Sequence, residues 1–155
     1  MAKQSAGILL YRKTGSGIQV FLVHPGGPFF KNKDLGAWSI PKGEFLDDED
    51  PLSAAKREFE EETGQAIDGD FTRLNPVVLK SGKTVHAWAV EGDIDHEAIT
   101  SNLFEMEWPR KSGKKQSFPE IDRAAWFDLN EARMKINGGQ AGFIEEMATI
   151  IKKSC

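Results

Sequence analysis

Between residues 44 and 62 the chain carries nine acidic side chains and only two basic ones, Lys56 and Arg57. That stretch sums to -7 inside a 155-residue chain whose formal net charge is -4, so the remainder sums to +3. No apolar core accepts so many unpaired carboxylates, which places the segment at a surface and demands something to offset its charge. Its local signals define a helix: Asp50 stands as N-cap before Pro51 at the first helical position, and Gly64 follows Thr63 as a stop. On a helix turning about 100° per residue, Leu52, Ala55, Phe59 and Thr63 form one narrow stripe for burial. Glu58, Glu61 and Glu62 share the arc beside it, and Lys56 and Glu60 take the solvent face opposite.

Like charges three and four residues apart repel, by about 0.2–0.5 kcal/mol per exposed pair. Arg57 offsets part of this, four residues before Glu61, but one guanidinium does not balance three glutamates plus Glu49. A divalent cation does. Hard carboxylate oxygens without Cys or His favour Mg²⁺, with Mn²⁺ as a substitute, over Zn²⁺, and Mg²⁺ keeps positions for water and substrate phosphates. Such a site suits metal-assisted attack of water on phosphorus. A plain solvated acidic helix gives no reason for the spacing around it: Gly43, five residues, Glu49, seven residues, then Arg57-Glu58-Phe59-Glu60-Glu61-Glu62-Thr63-Gly64.

At these residues the sequence resembles the Nudix hydrolase family, whose box has Gly, Glu, Arg-Glu, Glu-Glu and Gly at those offsets. Two apolar positions depart from it: Phe59 is aromatic, and Gln65 replaces a terminal aliphatic residue, which is expected to weaken packing at the helix exit. The resemblance implies an α/β/α sandwich and Mg²⁺-dependent hydrolysis of a nucleoside diphosphate linked to another moiety. Position by position, it implies Glu58, Glu61 and Glu62 as metal-binding carboxylates, with one of them or a downstream glutamate as general base. The backbone carbonyl of Lys42 becomes a further metal ligand. Glu49 and Arg57 tie loop to helix and orient the carboxylates, between the structural glycines Gly43 and Gly64.

Many Nudix enzymes place another acidic residue six positions before a late-strand tryptophan. Glu120 precedes Trp126 by that spacing and is the candidate fourth carboxylate, for metal and catalysis, with Glu105 and Glu107 in reserve. This spacing and the approach Trp38-Ser39-Ile40-Pro41-Lys42-Gly43-Glu44 look most like members acting on diadenosine polyphosphates. A dinucleoside polyphosphate is therefore the preferred substrate, ahead of damaged nucleoside triphosphates and then ADP-ribose or RNA 5′ ends. A nucleotide-sensing module without catalysis is the alternative from a different class.

The rest of the chain reads as one domain over residues 1–155, with 39% hydrophobic residues and no low-complexity break. Ser5 to Tyr11 and Gln19 to His24 read as antiparallel strands joined by a turn with Gly15 and Gly17. His24 to Phe30, with two prolines and two glycines, reads as a surface loop. Val77 to Lys80, Thr84 to Glu91, Leu103 to Glu107 and Arg123 to Asp128 are strand candidates; Leu129 to Ile136 and Gly142 to Lys152 are helical. The second carries Phe143, Met147, Ile150 and Ile151 at helical spacing. The fold class is α/β, a mixed sheet between helices.

No apolar run approaches the roughly 18–20 residues that span a bilayer, and Met1 to Tyr11 lacks a leader pattern, so a cytoplasmic location is expected. The single cysteine, Cys155, makes no internal disulfide, and three histidines do not suggest structural zinc. A pI near 5.4 argues against duplex nucleic acid as partner and leaves a small nucleotide.

Several lesser features bear on that nucleotide. Lys42 and Lys83 are candidate phosphate contacts, and Trp38, His86, Trp88, Phe29 and Phe30 are candidate base platforms. Arg110, Lys111, Lys114 and Lys115 crowd around Gly113 in an expected hairpin loop near Glu120, a field that suits a long polyphosphate. Ser81-Gly82-Lys83-Thr84 imitates a phosphate-binding loop, but Val77 stands where its first glycine belongs and a strand follows instead of a helix. Asp47-Asp48-Glu49-Asp50 lacks the alternating ligands of a calcium loop.

Overall fold

The computed structural model describes residues 3–15 and 17–153; Cys155 and Met1 lie outside them. Its elements follow in the order β1 (Gln4–Thr14), β2 (Gly17–Pro25), β3 (Lys42–Glu44), α1 (Pro51–Thr63), β4 (Thr72–Arg73), β5 (Val77–Val78) and β6 (Thr84–Glu91). The hairpin β7 (Leu103–Glu107) and β8 (Lys115–Pro119) comes next, then β9 (Ile121–Asp128), α2 (Leu129–Lys135) and α3 (Ala141–Lys153).

Ser5 to Leu10 is a continuous buried run, as expected of a strand covered on both faces. It pairs in parallel with β6, from Gln4 opposite Thr84 to Tyr11 opposite Glu91, and antiparallel with β2 and β3. The main sheet runs β4-β6-β1-β2-β9, with β3 joined to β1 and β5 to β6. The β7–β8 hairpin stands outside it.

Strand alternation divides the core in two. Ala6, Ile8, Leu10, Phe21, Val23, Trp88 and Val90 pack against Ala54, Ala55 and Phe59 of α1. Leu9, Val20, Leu22, Val85, Ala87 and Phe127 pack on the other face against Ala132 of α2 and Phe143, Ile144, Met147 and Ile151 of α3. Burial of each large side chain contributes about 1.5–3 kcal/mol. The result is a mixed sheet between helices, the α/β/α sandwich.

Some expectations need correction. Lys42–Glu44, given no element by its sequence, is a short strand because β1 offers it a partner. Strand β2 takes in His24, as expected, and extends to Pro25, and His24 is fully buried, so the loop starts only at Gly26. The strand expected over Val77 to Lys80 is only two residues long, since Leu79 and Gly82 close a turn after it. Ile150 is only partly buried and Ile144 takes its place in the core.

Candidate metal and active site

Helix α1 starts as its sequence dictates: Asp50 accepts from the Ser53 N–H at 2.9 Å and its hydroxyl at 3.0 Å. It ends at Gly64, in the left-handed conformation at φ 75°. Its buried face is wider than the expected stripe. Ala54 is buried along with Ala55, Phe59 and Thr63, while Leu52 is only half-buried. Glu62 therefore lies within the buried face, 8% exposed, rather than beside it.

Strand β3 lies beside α1 and sets the approach of two glutamates. The Lys42 N–H donates to the Glu62 carboxylate. A Cβ on Gly43 would sit 2.0 Å from Glu58 Oε2 and 2.1 Å from its Cδ, so the Glu58 carboxyl occupies the space that any side chain at 43 needs. Arg57 grips Glu49 through two bonds, Nε to Oε2 at 3.0 Å and Nη2 to Oε1 at 3.1 Å. Its Nη1 reaches Glu58 Oε1 at 2.8 Å and both Glu61 oxygens at 3.4 Å. One guanidinium thus links the loop before α1 to two carboxylates on it. Glu49 above all, and the crowd of negative charge behind it, holds that guanidinium well above its ordinary pKa.

The other shifts tell the same story from the carboxylate side. Burial, then the Glu58 charge, pushes Glu62 up to about 8, against the opposing pull of Lys42. Burial and Glu61 raise Glu58, with Arg57 pulling the other way. Glu120 lies in the turn between β8 and β9, its N–H bonded to the Asn102 carbonyl at 2.8 Å and its own carbonyl accepting from the Gly26 N–H at 2.8 Å. Desolvation and then Glu61 raise its pKa, and its charge in turn raises Glu58 and Glu62. Lys42 is lowered by burial and by Lys83. A cleft of about 310 Å³ is shared by Lys42, Glu62, Glu120, Phe30, Ser39 and Gln140.

These groups face one region without closing on a point. Among the described residues, no three His, Cys, Asp or Glu side chains are drawn together tightly enough to hold an ion as they stand. Arg57 engages Glu58 and Glu61, the Lys42 N–H engages Glu62, and mutual repulsion spreads the rest. The donor set is nonetheless the hard, all-oxygen kind that suits Mg²⁺ or Mn²⁺.

The remaining candidates separate. Trp38 is 5% exposed, its indole N–H donating to Asp34 at 2.8 Å and its ring edge-on to Phe127 at 4.9 Å. It is a core residue and offers no face to a base. Trp88 is buried likewise, under α1. His86 is half-buried, with Nε2 2.7 Å from Gln4 Oε1 and its ring 5.9 Å from Phe45, and burial lowers its pKa. It thus stands beside an open groove of about 790 Å³, lined by Gln4, Glu44, Phe45, Glu49 and Arg57, which contains neither Glu62 nor Glu120. Lys83 is paired with Glu44 at 2.9 Å. Glu105 and Glu107 are exposed on β7, opposite Ser117 and Lys115.

Three features escape sequence reasoning. His24 bridges Asp122 Oδ1 at 2.8 Å and the Lys33 carbonyl at 2.7 Å, clamping the loop after β2; its place at the end of the apolar run Val20-Phe21-Leu22-Val23 was the available signal. The buried Gln140 accepts from the Ile40 N–H at 3.1 Å and donates to Ser39 Oγ at 3.1 Å, holding the cleft wall, and no pattern announces it. Gln65, instead of weakening the helix exit, makes two bonds to the Asp95 backbone at 2.9 and 3.3 Å while Ile67 supplies the apolar contact.

The chain matches the NUDIX domain family over residues 1–147. No curated protein matches it. Among solved structures it is similar to a C. elegans Ap4A hydrolase binary complex, with a TM-score of 0.66 at 19% identity over 97% of this chain and 99% of that one. The NUDIX domain of Shewanella oneidensis NrtR complexed with ADP ribose gives 0.68 at 16% identity, covering 97% and 89%. A mutT/nudix family protein from Listeria innocua gives 0.64 at 17%, covering 98% and 95%. Through the box, the sandwich and the family match over nearly its whole length, the chain belongs to the Nudix family of hydrolases, which act on pyrophosphate bonds in nucleoside diphosphate derivatives.

Proposed function

We propose that this chain is a Mg²⁺-dependent pyrophosphohydrolase that directs water in line at a phosphoanhydride, with a dinucleoside polyphosphate as its preferred substrate. We read residues 1–155 as one catalytic domain working in the cytoplasm. The observation that carries the reading is the arrival of Glu120, from the β8–β9 turn, within the electrostatic reach of Glu58, Glu61 and Glu62 on α1. Separate elements that converge acidic groups on one cleft, despite their repulsion, fit a site made for cations.

In this reading Glu58, Glu61, Glu62, Glu120 and the Lys42 carbonyl hold Mg²⁺, or Mn²⁺ in its place. Bound there, the cation neutralises phosphate oxygens and eases deprotonation of water. Glu58, Glu61 or Glu120 accepts that proton, and the raised affinity of Glu58 and Glu120 for protons favours those two. Arg57 orients Glu58 and Glu61 and keeps Glu49 tied to the helix. Lys42, which lines the cleft with Glu62 and Glu120, offers positive charge to the phosphates, and Lys83 adds to it.

The experiment is a screen of diadenosine tetraphosphate, damaged nucleoside triphosphates, ADP-ribose and 5′-triphosphorylated RNA with Mg²⁺, products resolved by chromatography. Fastest cleavage of the dinucleotide is the expected result. Binding without cleavage of any compound, in Mg²⁺ or Mn²⁺, overturns the enzymatic reading in favour of nucleotide sensing.

A further inference from the structure

Several surface cations of this molecule are matched by nearby acids. Arg12 pairs with Asp93, Lys83 with Glu44, Arg133 with Glu145 and Lys135 with Asp34. The turn of the β7–β8 hairpin differs: Trp108 to Ser117 holds four cations, Arg110, Lys111, Lys114 and Lys115, and no acid. Glu107 stands in register with Lys115 at the base of the turn. Lys31 and Lys33 add two more on the facing loop. Among the described residues, none of these six makes an ion pair within 4.0 Å.

The two segments are packed together by aromatic contacts. Phe104 of β7 seats on Gly27, where a Cβ would lie 2.9 Å from the ring. Phe29 meets Trp108 edge-on at 5.5 Å, and the Arg110 guanidinium lies 5.1 Å over the Phe29 ring. Lys33 lies 5.3 Å over Phe30. Phe29 and Phe30 nonetheless remain 44% and 37% exposed. Cations gathered over half-open aromatic rings suit a ligand that is both anionic and flat.

This patch connects physically to the cleft. Phe30 lines the same cleft as Glu62 and Glu120. Strand β8 leads from Lys115 to Pro119, directly before Glu120, and at about 3.4 Å per residue the turn lies up to roughly 15 Å along the strand from that residue. A compact diphosphate at the carboxylates does not span such a distance. A long polyphosphate chain with a nucleoside at its far end does.

We propose that the hairpin turn and the loop carrying Phe29 to Lys33 form a subsite for the part of the substrate remote from the cleaved anhydride. Distal phosphates lie on Arg110, Lys111, Lys114 and Lys115, and the second nucleobase stacks in the Phe29–Trp108–Arg110 group. The inference rests on the proposed polyphosphate reading for the identity of the substrate, and it adds the reason for a preference for long substrates.

Calorimetric titration of the full chain without metal tests it, since no turnover intervenes. Diadenosine tetraphosphate is expected to bind about tenfold more tightly than ADP-ribose, and the gap is expected to close in 0.3 M salt. The quadruple variant R110A/K111A/K114A/K115A is expected to lose the gap while ADP-ribose binding stays unchanged; Phe29→Ala narrows it. Should the quadruple variant melt early, the single charge reversal Lys111→Glu replaces it. Equal loss for both ligands, no loss for either, or tighter competition by a single-stranded RNA oligonucleotide overturns the proposal, the last in favour of nucleic acid. A binding gap without hydrolysis keeps this subsite and discards the enzymatic reading; hydrolysis without the gap does the reverse.

Discussion

Helix α1 lays its charge against the main sheet, while the β7–β8 hairpin holds its own out in solvent. At α1, the carboxylates of the site are tied to something: Glu58 and Glu61 to Arg57, the first over the bare backbone of Gly43, Glu62 to the Lys42 N–H, and Glu49, in the loop before the helix, to the far side of the same guanidinium. On the hairpin, the cations lack carboxylate partners and the strands pair only with each other. Like charges are costly to hold at fixed positions, so the acidic region needs burial, a clasp and a close strand to keep its geometry. The basic region needs only reach. Chemistry at one atom demands the first arrangement, and recognition of a long flexible anion tolerates the second.

Breaking the acidic side should have the largest effect. Glu61→Gln is expected to lower turnover by about 10²–10⁴-fold with the fold intact, read by steady-state kinetics beside circular dichroism. Near-normal turnover removes Glu61 from the site. Gly43→Ala separates geometry from charge, because it adds a methyl where the Glu58 carboxyl lies and removes no ionisable group. A loss of about 100-fold in turnover is expected, with a stability cost of roughly 1–3 kcal/mol. If activity survives, the close approach of β3 to α1 is not what positions Glu58.

Glu62 sharpens the comparison through pH. Its folded value of about 8 lies above the ordinary 4.5, so the native state holds a proton that the unfolded chain releases. The stability from that proton is fully present below about 4.5 and is lost as pH rises through about 8. Metal-free protein should therefore melt several degrees lower at pH 9 than at pH 6, at about 2–4 °C per kcal/mol for this size. Glu62→Gln should flatten that fall; an unchanged slope would show that the buried carboxyl is ionised throughout. The smallest effect is expected from Gln65→Leu, about 0.5–1.5 kcal/mol in denaturant unfolding for the two exposed bonds to Asp95. A stabilised variant would instead restore the family's preference for an aliphatic residue there.

What the sequence made readable was what repeats locally. Caps, helical spacing and the box offsets located α1 and its glutamates, and the six-residue step to Trp126 located Glu120. Ala54 escaped because alanine carries too little apolar area to mark a face, and with it went the central position of Glu62. Strand β8 escaped because Lys115, Gln116 and Ser117 are polar and exposed, with no alternation to betray a strand whose partner is β7 alone. Trp38 escaped in the other direction: beside the box it suggested a base platform, but Phe127 and His24, brought in from other strands, enclose it together with the nearby Asp34. Contacts made across the chain leave no local trace.

The parallel pairing of β1 with β6 has a consequence for synthesis. Gln4 finds its partner at Thr84, eighty residues later, and Ile8, Leu9 and Leu10 are wholly buried once it does. At about 5–20 residues per second on the ribosome, that edge waits on the order of ten seconds for its neighbour. During this interval β2 and β3 guard one side of the strand only. Until β6 emerges the other edge of β1 stays unpaired, and closing so long a loop carries an entropic cost that local pairings such as β1 with β2 do not.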